Sequence, residues 1–223
     1  MHRIEIQNLL DLDRTIAKSF FVGKTYPWEV LTEIGDSIIE LGKTLDLEKF
    51  HHPAENIWIA KSANVFSSAY IDGPCIIDED AQIRHCAYIR GNAIIGKGAV
   101  VGNSTELKNS VLFDAVQAPH YNYVGDSVFG YKSHTGAGAI TSNVKADKKL
   151  TTLMWAGEKI ETGLKKFGAI LGDFAEIGSN TIMNPATIVG RNAVVYPLSM
   201  VRGVVPENSI YKCKNEIVEK REV

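Results

Sequence analysis

Residues 75–107 read CIIDEDAQIRHCAYIRGNAIIGKGAVVGNSTEL, and from Ile77 onward every sixth residue of this stretch is aliphatic. The spacing continues on both sides and gives ten consecutive apolar positions, namely Ile59, Val65, Ile71, Ile77, Ile83, Ile89, Ile95, Val101, Leu107 and Phe113. It resumes nearer the C-terminus at Leu171, Ile177, Met183, Val189, Val195 and Val201. In both series a mostly small residue precedes each apolar position by two.

A period of six fits neither an α-helix, with a period of about 3.6, nor a half-buried strand, with a period of about 2. It is typical of a parallel β-helix, in which three hexads close a coil of about 18 residues and the large apolar residue points inward. No coil can bury its own apolar face, so stability comes from stacking. The pattern predicts a mainly β fold of about seven coils. An evenly spaced β-sandwich is the alternative, and the length of the two series disfavours it.

The repeat divides the chain into three parts. We predict an N-terminal helical segment over 1–52, the β-helix over 53–206 with an inserted loop at about 144–167, and a C-terminal cap or tail over 207–223. Pro27 is followed by apolar residues at helical spacing, which predicts a helix from about Trp28 to Lys43.

The composition narrows the class of protein. The 223 residues carry a net charge of −2 and are 45% apolar, which does not suggest a partner in nucleic acid or at a membrane surface. The three cysteines have no metal-ligand spacing, and we see no leader peptide and no apolar run long enough to span a bilayer. We expect a cytoplasmic protein without a bound metal.

Two stretches interrupt the hexad, and we expect the chemistry there. Residues 118–126 of the first read APHYNYVGD, and the second, 144–167, carries nine charged residues. Insertions in repeat proteins usually form loops on one face, often the binding face.

Four short motifs then suggest a family. TELKN (105–109), PH (119–120), YVGD (123–126) and TGAGAITSN (135–143) occur in order. The chain thereby resembles, over about 57–205, the C-terminal acetyltransferase domain of the bifunctional glucosamine-1-phosphate N-acetyltransferase/N-acetylglucosamine-1-phosphate uridyltransferase. The resemblance implies a left-handed β-helix, a homotrimer with acetyl-CoA bound between subunits, and a place in UDP-N-acetylglucosamine biosynthesis. The uridyltransferase half has no counterpart, so we expect no nucleotidyl transfer.

The resemblance also implies residue roles. His120 matches the catalytic histidine, while Ala137 and Ser179 match residues that contact the thioester arm of CoA. The implied substrate-binding residues are Arg90, Lys108, Tyr123, His134, Asn143 and Lys166. Two of these depart from the family pattern. His134 stands where the family usually has asparagine, and Lys166 is assigned across a longer insertion, with Lys149 as its rival.

The residues alone support part of this assignment. Arg90 and Lys108 are one coil apart, and each follows an inward aliphatic residue, so they should stack on one corner. Two like charges on adjacent strands repel each other unless an anion lies between them, and a bound phosphate group would be such an anion. Two solvated surface cations are the alternative. Histidine is the side chain most often used as a general base for an attacking amine, and His120 is the candidate for that role.

Three functions remain open. The first is acetyl transfer from acetyl-CoA to a phosphorylated amino sugar, with glucosamine 1-phosphate the leading acceptor and a nucleotide-linked amino sugar a rival. The second is a non-catalytic subunit that binds a sugar phosphate, which His134 and the charged insertion suggest. The third is an O-acyltransferase of the same fold.

Overall fold

The computed structural model describes residues 4–213 and 216–219 and is a left-handed parallel β-helix of about nine turns. Its coils have three sides, which we call faces A, B and C. Face A contains β2 (Ile57–Ala60), β5 (Cys75–Ile77), β8 (Ala93–Ile95), the second halves of β10 (Glu106–Leu112) and β12 (Tyr123–Phe129), β17 (Ala169–Leu171), β20 (Thr187–Val189) and β23 (Val204–Val205). The antiparallel strand β1 (Phe50–Ala54) pairs with β2 at the first edge.

The other two faces follow the same order along the chain. Face B contains β3 (Asn64–Val65), β6 (Gln82–Ile83), β9 (Val100–Asn103), β11 (Gln117–His120), β13 (His134–Thr135), β18 (Glu176–Ile177), β21 (Val194–Val195) and β24 (Ser209–Cys213). Face C contains β4 (Tyr70–Asp72), β7 (Tyr88–Arg90), the first halves of β10 and β12, β14 (Ile140–Thr141), β19 (Ile182–Met183) and β22 (Met200–Val201). At the C-terminal end β25 (Glu216–Glu219) pairs antiparallel with β24.

The hexad residues form the core of the prism, as the sequence predicts. Ile77, Ile83 and Ile89 are fully buried, and each stacks on its counterpart one coil away through parallel strand pairing. Three residues after each of them the chain turns a corner with a positive φ, which is 58° at Asp80 and 57° at Cys86. A left-handed conformation costs a non-glycine residue about 1–2 kcal/mol, so the stacking of the coils must offset a cost repeated at the corners.

The first interruption is not an insertion, and this corrects the sequence interpretation. Leu107 pairs with Val124 and Leu112 with Phe129, which is a spacing of 17 residues, so one corner is simply a residue shorter. The shortening shifts the inward position from the predicted Phe113 to Leu112. The coil therefore continues through 114–143, and the prism has about nine turns rather than about seven.

The second interruption leaves the coil. Thr141 pairs with Met183 at a spacing of 42 residues, more than twice that of a regular coil. Within this excess, β15 (Thr152–Trp155) and β16 (Glu158–Glu161) form an antiparallel hairpin. Val144 forms an antiparallel bridge with Lys166, so the chain leaves and returns at neighbouring points of the coil.

The N-terminal segment packs across face A. It consists of the short helix α1 (Ile6–Leu9), three 3₁₀ turns (Leu12–Arg14, Lys18–Phe21 and Pro27–Thr32) and the helix α2 (Ile34–Gly42). Ile34 and Ile38 are fully buried, and Gly42 lies so close to Trp58 that a Cβ atom would be 2.4 Å from its ring.

The helix predicted from Trp28 to Lys43 begins later, at Ile34. The Glu29 side chain accepts hydrogen bonds from the backbone N–H groups of Thr25 and Tyr26, at 2.7 and 2.9 Å, and this capping favours a separate 3₁₀ turn. In the part of the chain that the structure describes, no helix has the length and apolar character needed to cross a membrane.

Candidate functional site

The two predicted phosphate-binding cations lie side by side at the end of face C. Leu107 pairs with Ile89, which places Lys108 beside Arg90 one strand away. Each cation nevertheless has its own carboxylate. Arg90 Nη1 lies 2.7 Å from Glu106 Oε1, and this hydrogen bond raises the pKa of the guanidinium. Lys108 Nζ lies 3.2 Å from both oxygens of Asp126.

The prediction that Arg90 and Lys108 need an external anion between them is therefore wrong, because each cation is already neutralised by a carboxylate of the chain. Glu106 and Asp126 supply the counter-charges, and sequence reasoning overlooked both. The remaining N–H donors of Arg90 are still available, because its side chain is 42% exposed and a guanidinium has five donors.

Asp126 is the centre of the polar cluster at this corner, which we call the Asp126 cluster. It is 3% exposed and adopts the left-handed corner conformation, with φ 49°. Besides Lys108, its carboxylate accepts hydrogen bonds from Asn109 Nδ2, at 2.9 Å, and from Asn143 Nδ2. Charge-assisted hydrogen bonds of this kind are about twice as strong as neutral ones, so Asp126 fixes the side chains around it.

Tyr123 joins the same cluster through Asn143, whose Nδ2 donates to the Tyr123 hydroxyl at 3.1 Å. The hydroxyl lies over Gly125, where a Cβ atom would approach it to 2.5 Å, so the site needs glycine there. Burial, with a smaller contribution from the Asp126 charge, raises the pKa of Tyr123. The phenol therefore stays protonated at neutral pH and retains its O–H as a donor for a ligand.

The three residues matched to catalysis and to CoA stack along another edge, where face B turns into face C. The backbone N–H of Gly138 donates to the His120 carbonyl at 3.0 Å, and that of Asn180 donates to the Ala137 carbonyl at 2.8 Å. His120, Ala137 and Ser179 thus occupy equivalent positions on three successive coils. His120 is exposed, and no described group forms a hydrogen bond with its imidazole. The backbone N–H of His120 donates to Asn122 Oδ1 at 3.1 Å.

His134 is not brought into the Asp126 cluster. It lies on face B, stacked on Gln117, and its Nδ1 is 2.9 Å from Glu176 Oε2. His134 therefore lies on face B, which also carries His120, and not at the corner of Arg90 and Lys108.

Lys166, the second lysine predicted to bind the substrate, lies at the base of the insertion. Lys166 bridges to Val144, and the next N–H, of Phe167, donates to the Asn143 carbonyl at 2.9 Å. The backbone of Lys166 therefore adjoins the Asp126 cluster. Its rival Lys149 lies further along the insertion, where its N–H donates to Asp147 Oδ1 at 3.1 Å.

The N-terminal segment supports this corner from behind. Asn109 Nδ2 donates to the Leu31 carbonyl at 3.0 Å as well as to Asp126. The ring of Trp28 lies 5.6 Å from that of Phe167, where the insertion rejoins the coil. The segment thus contacts both the Asp126 cluster and the base of the insertion, which no pattern in its sequence indicated.

Within 4–213 and 216–219, no three histidine, cysteine or acidic side chains are grouped so that they could hold a metal ion. Cys75 is buried in the core, and burial raises the pKa of its thiol to about 12.

Comparison with known proteins identifies relatives. The family model described as the GMPPB C-terminal domain matches residues 71–194. The chain is 35% identical over 120 residues to the "Bifunctional protein GlmU" of Methanococcus vannielii, covering 53% of this chain and 29% of that protein. It is 33% identical over 109 residues to the "Bifunctional sugar-1-phosphate nucleotidylyltransferase/acetyltransferase" of Sulfurisphaera tokodaii, covering 49% and 27%. The chain thus spans under a third of these relatives, which confirm the predicted resemblance.

A solved structure is also similar in outline. The acetyltransferase domain of PglB from Neisseria gonorrhoeae, in complex with acetyl coenzyme A, is 15% identical, with a TM-score of 0.32. The match covers 70% of this chain and 53% of that chain.

Proposed function

We propose that the chain, which belongs to the family of the GMPPB C-terminal domain, is an acetyltransferase, as the name of its relative from Sulfurisphaera tokodaii suggests. It moves an acetyl group from acetyl-CoA to the amine of a phosphorylated amino sugar. Glucosamine 1-phosphate is the first candidate acceptor, because the chain resembles glucosamine-1-phosphate acetyltransferases and one relative is named for sugar-1-phosphate nucleotidylyl transfer together with acetyl transfer.

The observation that carries the proposal is the placement of two sets of residues at the two edges of face C. Arg90 and Lys108 lie at one edge, beside a lysine-bearing insertion, and His120 lies at the other, where the coil turns into Tyr123. A sugar phosphate that lies across face C could be held by its phosphate at the edge that carries Arg90 and Lys108. Its amine would then face the imidazole at the second edge.

The chemistry needs a proton acceptor and no covalent intermediate. In our proposal His120 takes the proton of the amine, which attacks the thioester carbonyl, and the CoA thiolate leaves. A neutral amine is itself a competent nucleophile, so direct transfer suffices.

A backbone amide can stabilise the oxyanion that develops during the attack. The N–H groups of Gly136 and Gly138 already donate to the carbonyls of Ile177 and His120. No described group accepts a hydrogen bond from the N–H of Ala137, so this amide is our candidate for the oxyanion donor.

We also propose that the enzyme is a homotrimer with acetyl-CoA bound between subunits. Face C has exposed apolar side chains, of which Tyr70 is 60% exposed, Tyr88 41% and Met200 64%. The described N-terminal segment covers face A and leaves this stripe uncovered. An apolar stripe along one side of a rod is suited to packing against another copy of the chain.

Product analysis tests the proposal. The chain is incubated with acetyl-CoA and a panel of amino sugar phosphates and neutral sugar phosphates, and thiol release is followed together with the mass and base stability of the product. We expect an amide on a phosphorylated amino sugar. A base-labile ester indicates an O-acyltransferase instead, and sugar-phosphate binding without any binding of acetyl-CoA indicates a non-catalytic subunit. Either result contradicts the proposal.

A further inference from the structure

Two chain segments lie side by side at the base of the insertion, and we call them the neck, defined as residues 144–151 and 164–166. Its two sides are joined by the Val144–Lys166 bridge and by the N–H of Thr151, which donates to the Leu164 carbonyl at 2.7 Å. The neck begins directly after Asn143, a member of the Asp126 cluster. Anything bound at the Asp126 cluster therefore has the neck as its immediate neighbour.

The neck is strongly basic. Its lysines are Lys145, Lys148, Lys149, Lys165 and Lys166. Its sole acidic residue, Asp147, lies 3.3 Å from Lys145 Nζ and also accepts the N–H of Lys149. In the described part of the chain no carboxylate lies within 4 Å of the ammonium group of any of the other four lysines. Five lysines and one aspartate leave this short segment with a net charge of +4, which attracts external anions.

The Asp126 cluster itself has no such excess. Arg90 is paired with Glu106 and Lys108 with Asp126, so two cations face two anions. The net positive charge at this end of face C therefore comes from the neck. One phosphate at Arg90 and Lys108 would leave most of the charge of the neck without a counter-charge.

We infer that the neck is a subsite for a second phosphate group, so that the acceptor is an amino sugar linked to a diphosphate, as in a nucleoside diphosphate sugar. The inference rests on the proposed function and specifies its substrate class. Lys148 and Lys165 are the residues to test, because Lys166 and its rival Lys149 are already candidates for the substrate-binding lysine. Ammonium groups on flexible stems bind phosphate as point charges and need no fixed geometry, which suits exposed segments outside the regular strands.

Calorimetric titration with inorganic phosphate and with pyrophosphate separates the two subsites. At about 0.15 M salt, where long-range screening is strong, we expect pyrophosphate to bind the wild-type chain at least about tenfold more tightly than phosphate. In the double variant Lys148→Gln/Lys165→Gln the pyrophosphate affinity should fall about tenfold, since two exposed pairings of up to about 1 kcal/mol each are lost. Phosphate affinity should change by less than about twofold.

The control is the double variant Lys61→Gln/Lys132→Gln, which removes the same charge from exposed positions outside the neck. It should leave both affinities unchanged, and an equal loss in the control would mean non-specific attraction and overturn the inference. Equal affinity of the wild type for phosphate and pyrophosphate would also overturn the second subsite. If phosphate still bound in that case, and its binding were lost in Arg90→Gln, the proposed function would be unaffected. Failure of both ligands to bind would overturn the sugar-phosphate site itself.

Discussion

Replacing Asp126 by asparagine tests whether a buried carboxylate organises the Asp126 cluster. Asp126 accepts from three side chains, namely Lys108, Asn109 and Asn143. An asparagine offers one carbonyl oxygen and turns an NH₂ donor toward groups that are themselves donors. The variant therefore loses the negative charge and leaves donor facing donor.

The expected loss of stability follows from these contacts. Hydrogen bonds to a charged group contribute about 1.5–3 kcal/mol, and the Lys108 pairing is weakened because that side chain is 23% exposed. We expect Asp126→Asn to lower the free energy of unfolding by about 2–4 kcal/mol, measured by urea denaturation. The KM for the sugar phosphate should rise more than kcat falls, because Lys108 and Asn143 lose their fixed positions.

Asp80→Asn is the matched control, because Asp80 has the same left-handed corner conformation but an exposed side chain. It should change the unfolding free energy by less than about 0.5 kcal/mol. If Asp126→Asn matched this control in both stability and KM, the carboxylate would not be organising the cluster, and the reasoning would be refuted.

Three further predictions concern the coil and its assembly. Burial raises the pKa of Asp78 from 3.8 to about 6, so between these pH values the folded state binds a proton that the unfolded state has lost, and the stability of the wild type falls as pH rises through that window. In thermal melts across pH, Asp78→Asn should therefore be about 2–3 kcal/mol more stable than wild type above pH 6 and no more stable near pH 4. A difference that does not depend on pH would contradict this. Gly102→Ala should cost about 3 kcal/mol in urea denaturation, since its Cβ would lie 1.7 Å from the Pro119 carbonyl oxygen, whereas wild-type stability would show that the two coils separate freely. Light scattering should give the mass of three chains for wild type and of one chain for Met200→Glu on face C, and a monomeric wild type would exclude the trimer.

The coil could be predicted from sequence because its information is local and repeated. Each hexad states the same rule, with a large residue inside and a small one two positions earlier, so a single error does not erase the pattern. The one-residue shortening before Leu112 was missed because a strict step of six has no allowance for a corner of five. A search that permitted one shorter step would have carried the register through Ala118 and Val124 and placed His120 at its edge.

The electrostatics of the site were less accessible. The spacing of Arg90 and Lys108 predicted their neighbouring strand positions. Their charge balance, however, depends on every carboxylate nearby, and Glu106 and Asp126 belong to different coils. The packing of the N-terminal segment was also out of reach. Amphipathic spacing shows that α2 has an apolar side, yet nothing in it specifies face A rather than B or C as its partner.

A single-turnover measurement of acetyl transfer by His120→Ala tests the proposed chemistry most directly, with saturating acetyl-CoA and amino sugar phosphate. His85→Ala is the control, because His85 is exposed at the equivalent edge position two coils away. We expect the rate of His120→Ala to fall about 10²–10⁴-fold with acceptor affinity changed by less than about twofold, while His85→Ala behaves as wild type. Transfer by His120→Ala at the wild-type rate would contradict the assignment of this imidazole as the general base.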